Sequence, residues 1–159
     1  MNQKLQKKLF KKYPKIFVQR KLPMSQTAMC WGIDTCDGWY WLIDMLCGRI
    51  QSFIDNNMKY SEGKIQQVEA TQVKEKFGGL RFYFQGGDHS EYVHGIVSFA
   101  EYLSYYICEV CGETKKVKQT KKGWISTLCP KCMKSHYAES IKDYPSLDRI
   151  LLRKENENK

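Results

Sequence analysis

No run of eighteen apolar residues occurs anywhere in the 159-residue chain, which excludes a membrane-spanning helix. Catalytic signatures are missing as well. There is no P-loop, no G-x-S-x-G elbow, no H-E-x-x-H pair and no dinucleotide fingerprint. Glu62-Gly63-Lys64, with Asp55 upstream, has the E-x-K spacing of a metal-dependent nuclease, but it sits in a polar turn and lacks the apolar strand such a motif needs. Asp88-His89 and His94 form no evident charge relay, so a non-enzyme is expected. The opening MNQKLQKKLFKKYPK is charged but has neither an apolar stretch nor a small-residue cleavage site after it, unlike a secretory leader. A cytoplasmic protein is therefore expected. No internal repeat and no low-complexity block appears before the last few residues.

Acidic residues are in deficit: 26 Lys and Arg stand against 17 Asp and Glu, a formal charge of +9. Such an excess favours polyanionic partners, nucleic acid or nucleotides among them, though a merely solvated Lys-rich surface is as common. Hydrophobic residues at 42% suffice for a real core in about one domain.

What the chain does have is cysteine, seven in all, with four in two C-x-x-C pairs. Cys108-Glu109-Val110-Cys111-Gly112 and Cys129-Pro130-Lys131-Cys132 read as knuckles, with seventeen residues between the inner cysteines. A C-x-x-C turn lets two sulfurs reach one ion, and two such turns fill four tetrahedral positions. We read Cys108, Cys111, Cys129 and Cys132 as ligands of one structural Zn2+, with no position left open for substrate. Lys115 to Leu128 has the length for a two-stranded ribbon carrying Trp124 and Ile125. The ribbon's Lys115, Lys116, Lys118, Lys121 and Lys122 serve either nucleic-acid contact or simple solvation. His136 is read as a bystander and Cys47 as a small core residue.

Upstream, Leu5, Leu9, Phe10 and Tyr13 fall on one stripe of a basic helix ended by Pro14, a stripe expected to dock on the protein's own core. Ile16 to Asp34 looks irregular. Asp37 is expected to cap a helix whose Trp39, Leu42, Ile43, Leu46, Ile50, Phe53 and Ile54 face inward, closed by Asn56 and Asn57. Its opposite face shows Tyr40, Trp41, Asp44, Arg49 and Ser52, and an outward Trp41 beside Arg49 suggests an interface or a stacking surface. Asp88 and Glu91 are spaced as a capping box for a further helix with Val93, Ile96, Val97, Ala100 and Leu103 inward.

Between these helices, Val68–Phe77 and Leu80–Gln85 read as a hairpin turned by Gly78-Gly79. That turn would pair Phe77 with Leu80, Glu75 with Phe82 and Val73 with Phe84 on an apolar face. The other face would set Lys76 against Arg81, Lys74 against Tyr83 and Gln72 against Gln85. Like charges directly across a ladder destabilise it by up to about 1 kcal/mol, so this face points to an anion. Tyr83 adds a ring suited to stacking a base. Glu75 on the apolar face has no explanation in this register.

The expected fold is α+β: amphipathic helices on a small antiparallel β-hairpin sheet, with a C-terminal four-cysteine zinc ribbon. Its divisions are 1–106 for the ligand-binding core with the basic N-terminal helix, 107–137 for the ribbon, 138–153 for a C-terminal helix formed by Leu147 to Arg153, and 154–159 for a disordered tail.

Three strings carry a family resemblance: Trp31-Gly32 with Cys36-Asp37-Gly38-Trp39, the run VKEKFGGLRFY from Val73 to Tyr83, and Cys108 to Gly112 with Gly123-Trp124-Ile125-Ser126-Thr127-Leu128-Cys129. They resemble a widespread group of small phage and prophage zinc-ribbon proteins, over roughly Tyr13 to Cys132. The chain is also similar to phage sponge proteins of the anti-CBASS type, which sequester cyclic-nucleotide signals of bacterial antiphage defence. The resemblance implies a non-catalytic homo-oligomer in the host cytoplasm that grips a cyclic di- or trinucleotide, with contacts falling on Lys74, Lys76, Arg81 and Tyr83. The chain departs from the group at Trp41, where a smaller polar residue is usual. Two other readings stand beside this one. One is a zinc-ribbon nucleic-acid binder acting in phage transcription or replication. The other is a protein-binding module presenting Tyr40 and Trp41.

Overall fold

The computed structural model describes residues 1–60, 65–87, 90–121, 123–135 and 140–143. Helix α1 spans Gln3–Lys12, with the Asn2 side chain capping it by accepting from the Leu5 amide at 2.9 Å. Leu9 is buried, and Tyr13 just beyond the helix donates its hydroxyl to the Asp44 carbonyl at 2.9 Å. The apolar stripe thus docks on the core and leaves the lysines outward. Three short 3-10 turns follow, at Val18–Lys21, Ala28–Trp31 and Asp37–Trp39, with the two-residue strand β1 (Ile33–Asp34) among them.

Helix α2 runs Tyr40–Tyr60, past the asparagines expected to close it. Asn57 stays inside the helix because its amide donates to the Phe53 carbonyl at 2.9 Å rather than ending the chain direction. Asp37 does not cap α2. Its carboxylate takes the Asn2 backbone amide at 2.7 Å and the Asn2 side chain at 2.5 Å, tying the two N-terminal segments together. Asp44, expected outward, is buried and receives both carboxylate contacts of Lys12 at 2.9 Å from α1.

Strands β2 (Glu69–Lys76) and β3 (Gly79–Gln85) pair antiparallel, and β1 joins the other edge of β2 in parallel, giving the order β1-β2-β3. Helix α3 (Glu91–Ser104) then lies along the free edge of β3. It starts after Ser90, which makes no side-chain cap bond, and Asp88 of the expected capping box lies outside the described residues. The Leu80 amide donates to Ser104 Oγ at 2.8 Å, and the Phe82 amide to Glu101 Oε1 at 2.9 Å. Two edge donors that could template aggregation are thereby satisfied by α3 side chains.

One core joins these parts: Trp39, Ile43, Ile50 and Ile54 of α2 and the turn before it, Ile33, Val73, Leu80 and Phe82 of the sheet, Val93 and Val97 of α3, and Leu9, Phe17 and Met29 from the N-terminal third. A second, smaller cluster holds Cys108, Val117, Leu128, Cys129 and Cys132. Around it fold β4 (Lys118–Thr120), β5 (Thr127–Leu128), α4 (Pro130–Ser135) and β6 (Ser140–Asp143), in a sheet of order β5-β4-β6. The chain is α+β, as expected. The expected two-stranded ribbon gains a third strand, β6, inside the span assigned to the C-terminal helix. That helix, the tail, His136 and the Glu62-Gly63-Lys64 spacing lie outside the described residues.

The hairpin register differs from the expected one. Val73 pairs with Phe82, Lys74 with Arg81, Glu75 with Leu80, Lys76 with Gly79 and Gln72 with Tyr83, with a bulge between Ala70 and Gln72. The turn residues are Phe77 and Gly78, at φ of 53° and 72°, and Gly79 already belongs to β3. Pairing has slipped by two residues. Because side chains alternate with a period of two, that slip leaves the paired residues Gln72 to Lys76 and Leu80 to Tyr83 on their expected faces. Phe77, expected inward opposite Leu80, instead becomes a turn residue that is 65% exposed.

Candidate metal centre and the surface beside it

Cys108 and Cys111 lie in a tight turn closed by the Gly112 amide donating to the Cys108 carbonyl at 2.8 Å, with Gly112 at a φ of +81°. The second knuckle forms where Cys129 precedes α4, whose first turn opens on Pro130 and carries Cys132. Pro130 fits there because the first helical position needs no amide. The four sulfurs all lie within 4.8 Å of one another, and Cys111 and Cys129 Sγ are 3.7 Å apart. A tetrahedral ion with metal–sulfur bonds near 2.3 Å separates its ligands by about 3.8 Å. Burial, together with the neighbouring sulfurs, pushes the Cys108 and Cys132 thiols above the ordinary value. Four thiolates share so small a volume only around a cation. The donor set therefore fits one metal ion in a closed, structural site, and among the described residues no other cysteine joins it. Cys47 is core, Cys30 donates to the Thr27 carbonyl at 3.2 Å, and Cys36 stands apart.

The centre is wedged against the main core. Gly38 packs so closely on the first knuckle that an added Cβ would sit 2.1 Å from the Cys108 carbonyl and 2.6 Å from the Gly112 nitrogen. The Gly38 amide donates to the Glu109 carbonyl at 2.8 Å, and Trp39 Nε1 to the Ile107 carbonyl at 2.9 Å. The hairpin tip is held from the ribbon side: Gln119 Nε2 donates to the Phe77 carbonyl at 3.1 Å and the Thr127 hydroxyl to the Gly78 carbonyl. Glu75, unexplained in the expected register, accepts the Gly78 amide at 2.6 Å and so braces the turn from below. These bonds hold Phe77, a bulky side chain, in a left-handed conformation it would otherwise disfavour.

At the same junction Glu109 is buried, with Oε2 lacking a hydrogen-bond partner among the described residues. Burial raises its pKa from 4.5 to about 6. The Glu75 charge adds to the rise, against the opposing Ser126 hydroxyl and Thr127 backbone. No spacing signal marks Glu109, since it is an unremarkable middle residue of a knuckle. Gly38-Trp39, the Phe77-Gly78 tip and the Cys108–Gly112 knuckle meet at this junction, whereas Trp31-Gly32 lies away from it, with Gly32 against Gln6 of α1.

The expected ligand residues do share one face. Lys74, Lys76, Arg81 and Tyr83 lie on the outer face of the sheet, away from Val73, Leu80 and Phe82. The cation opposed to Arg81 is Lys74, not Lys76, and Lys76 stands opposite Gly79. Asp34 of β1 is in register on the other side of Lys74, so the row reads acid, base, base rather than a bare like-charged pair. Sequence patterning missed Asp34 because a two-residue strand leaves no periodicity. Arg81 is half-buried and fixed: Nη1 donates to the Leu80 carbonyl at 2.7 Å and Nη2 to the Tyr105 hydroxyl at 3.1 Å. Tyr105 reaches it across Gly79, where a Cβ would come within 2.6 Å of the Tyr105 ring. Lys76 lies over the Phe77 ring, 5.5 Å from its centroid, and Tyr83 is exposed beside Gln72.

Comparison with protein-family models, with curated proteins and with solved structures finds no match for the chain. Fold and site define its class: an α+β protein with a tetracysteine centre clamped onto a hairpin tip. No described helix is long and apolar enough to cross a membrane.

Proposed function

We propose that the protein is a non-catalytic binder that captures a phosphate-bearing nucleotide on the outer face of its β1-β2-β3 sheet and releases it unchanged. The observation that carries this reading is Arg81, pre-oriented by the Leu80 carbonyl and Tyr105 beside Lys74, with Lys76 and Tyr83 exposed on the same face. A guanidinium has five N–H donors, and two are engaged here, so its free edge remains for phosphate oxygens. Holding it in place beforehand lowers the entropy lost on binding. Tyr83 supplies a flat face for a base.

The phage resemblance narrows the ligand to a cyclic di- or trinucleotide of antiphage signalling, sequestered in the cytoplasm, where thiols stay reduced for metal. The metal is Zn2+, whose preference for four thiolates matches the donor set. Its role is to hold the hairpin tip, and through it the spacing of the cationic face.

The test is calorimetric titration of full-length protein with cyclic di- and trinucleotides, followed by heat denaturation and identification of the released ligand. Binding is expected, with intact ligand recovered and affinity falling at least tenfold in Arg81→Ala and several-fold in Lys76→Ala. Absence of binding across the panel, or full binding by both variants, refutes the site. Recovery of a cleaved product makes the protein an enzyme instead.

A second reading, nucleic-acid binding by the ribbon, draws on Trp124, which is 78% exposed, and on exposed Lys121 in the same loop. It predicts DNA or RNA affinity that falls steeply with salt as counterions are released. Absence of a gel shift at low salt removes it.

A further inference from the structure

Helices α2 and α3 run antiparallel. Trp39 at the start of α2 meets Ile107 beyond the end of α3, while Phe53 stacks on Tyr92 with centroids 4.4 Å apart and Arg49 donates to the Tyr92 hydroxyl at 3.0 Å. Their inward stripes enter the core, and their outward edges do not match a solvated surface. Trp41 and Met45, one turn apart on α2, are 69% and 68% exposed, and Phe99 and Tyr102 on α3 are 62% and 53% exposed. Half-buried Ile96 and Leu103 continue the apolar surface toward the core. Monomeric proteins seldom leave so much contiguous apolar side chain in water.

We propose that this α2–α3 face is where two copies of the chain meet, across a two-fold axis that sets the Trp41–Met45 edge of one protomer on the Phe99–Tyr102 edge of its partner. Three observations favour a second copy as the occupant. The first is area: at these exposures Trp41, Met45, Phe99 and Tyr102, with Tyr92 and the flanking aliphatics, offer roughly 700 Å² per copy, near the ~800 Å² per partner of a standard interface. The second is charge. On a chain of +9 the edges built by Trp41, Met45, Phe99 and Tyr102 are uncharged, while Asp44, Asp55 and Glu101 of these helices are engaged elsewhere, by Lys12, by Lys15 at 3.7 Å and by the Phe82 amide. Two strongly cationic copies meet with least repulsion through these edges. The third is shape: the patch straddles two antiparallel helices, so a two-fold operation makes every contact twice and yields a four-helix arrangement. Gly95 on the exposed side of α3, where an added Cβ would meet nothing within 4 Å, leaves room for a partner side chain.

This inference does not depend on the nucleotide reading, since the cationic face of the sheet lies elsewhere. The test is sedimentation velocity with light scattering on the full-length, zinc-loaded chain from 5 to 100 µM. Dimer is expected for wild type and for Met58→Lys, which alters another face of α2. Met45→Lys and Phe99→Lys are each expected to be monomeric, with unchanged circular dichroism and metal content. Photocrosslinking from a benzophenone side chain at position 99 is expected to capture α2 of a second copy. Monomeric wild type at every concentration overturns the proposal, whether the face serves another protein or is covered by residues 144–159 of its own chain. Dimers that survive both lysine variants overturn it equally.

Discussion

Replacing Glu109 by glutamine probes the junction between the metal centre and the hairpin tip. In the folded chain the carboxyl titrates near 6, raised by burial and then by the Glu75 charge, against an ordinary 4.5. A group with a raised acidic pKa binds more protons folded than unfolded, so its contribution to stability falls as pH rises from 4.5 through 6. The difference of about 1.5 units corresponds to about 2 kcal/mol of destabilisation once the carboxylate is fully charged, above pH 7. At pH 5 the same relation yields about 0.8 kcal/mol. Glutamine keeps the shape, stays neutral, and can donate toward Glu75. Glu109→Gln is therefore expected to be more stable than wild type by up to about 2 kcal/mol at pH 7.5, with the advantage shrinking toward pH 5. Urea midpoints of the two proteins, measured side by side with excess zinc, read this directly, because acid loss of metal affects both and cancels in the difference. A difference that is independent of pH, or a variant less stable at pH 7.5, would refute the reasoning.

Four further outcomes follow from the contacts. Gly38→Ala drives a methyl into the knuckle backbone and is expected to destabilise by about 3 kcal/mol or more, with weakened metal retention measured by chelator competition. Stripping the metal with a strong chelator is expected to release the ribbon from Trp39, seen as a red shift in tryptophan emission, and, on the proposed function, to weaken nucleotide binding through the loosened tip. Unchanged emission would show that the centre does not support the junction. Phe77→Asn, better suited to a φ of +53°, is expected to raise thermal stability by about 1 kcal/mol, and a lower midpoint would mean the ring itself packs usefully. Lys12→Met leaves Asp44 buried without its cation and is expected to lower the urea midpoint, an effect that Asp44→Asn in the same chain should largely relieve.

Local signals were the legible ones. The C-x-x-C spacing identified all four candidate ligands because two residues of separation in a turn is a short-range geometric constraint. The stripe of α2 and the docking of α1 followed from a 3.6-residue period. The faces of the hairpin's paired residues survived even a wrong register, because alternation depends on parity and not on which residues pair.

The turn itself was not legible. Glycines at 78 and 79 make either Phe77-Gly78 or Gly78-Gly79 a workable turn by propensity. The choice rests on Glu75, Gln119 and Thr127, two of them more than forty residues away. Asp34 beside Lys74, the lock of Tyr105 on Arg81, the orphaned Glu109 oxygen and the apolar edge shared by α2 and α3 are equally non-local. The chain by itself determined which residues could share a metal and which side of each element faces inward, since both are set by backbone spacing within a few residues. Tertiary structure alone decided which charges stand opposite one another and which bulky residue bears a strained turn, because those depend on contacts made only when distant segments close on the same core.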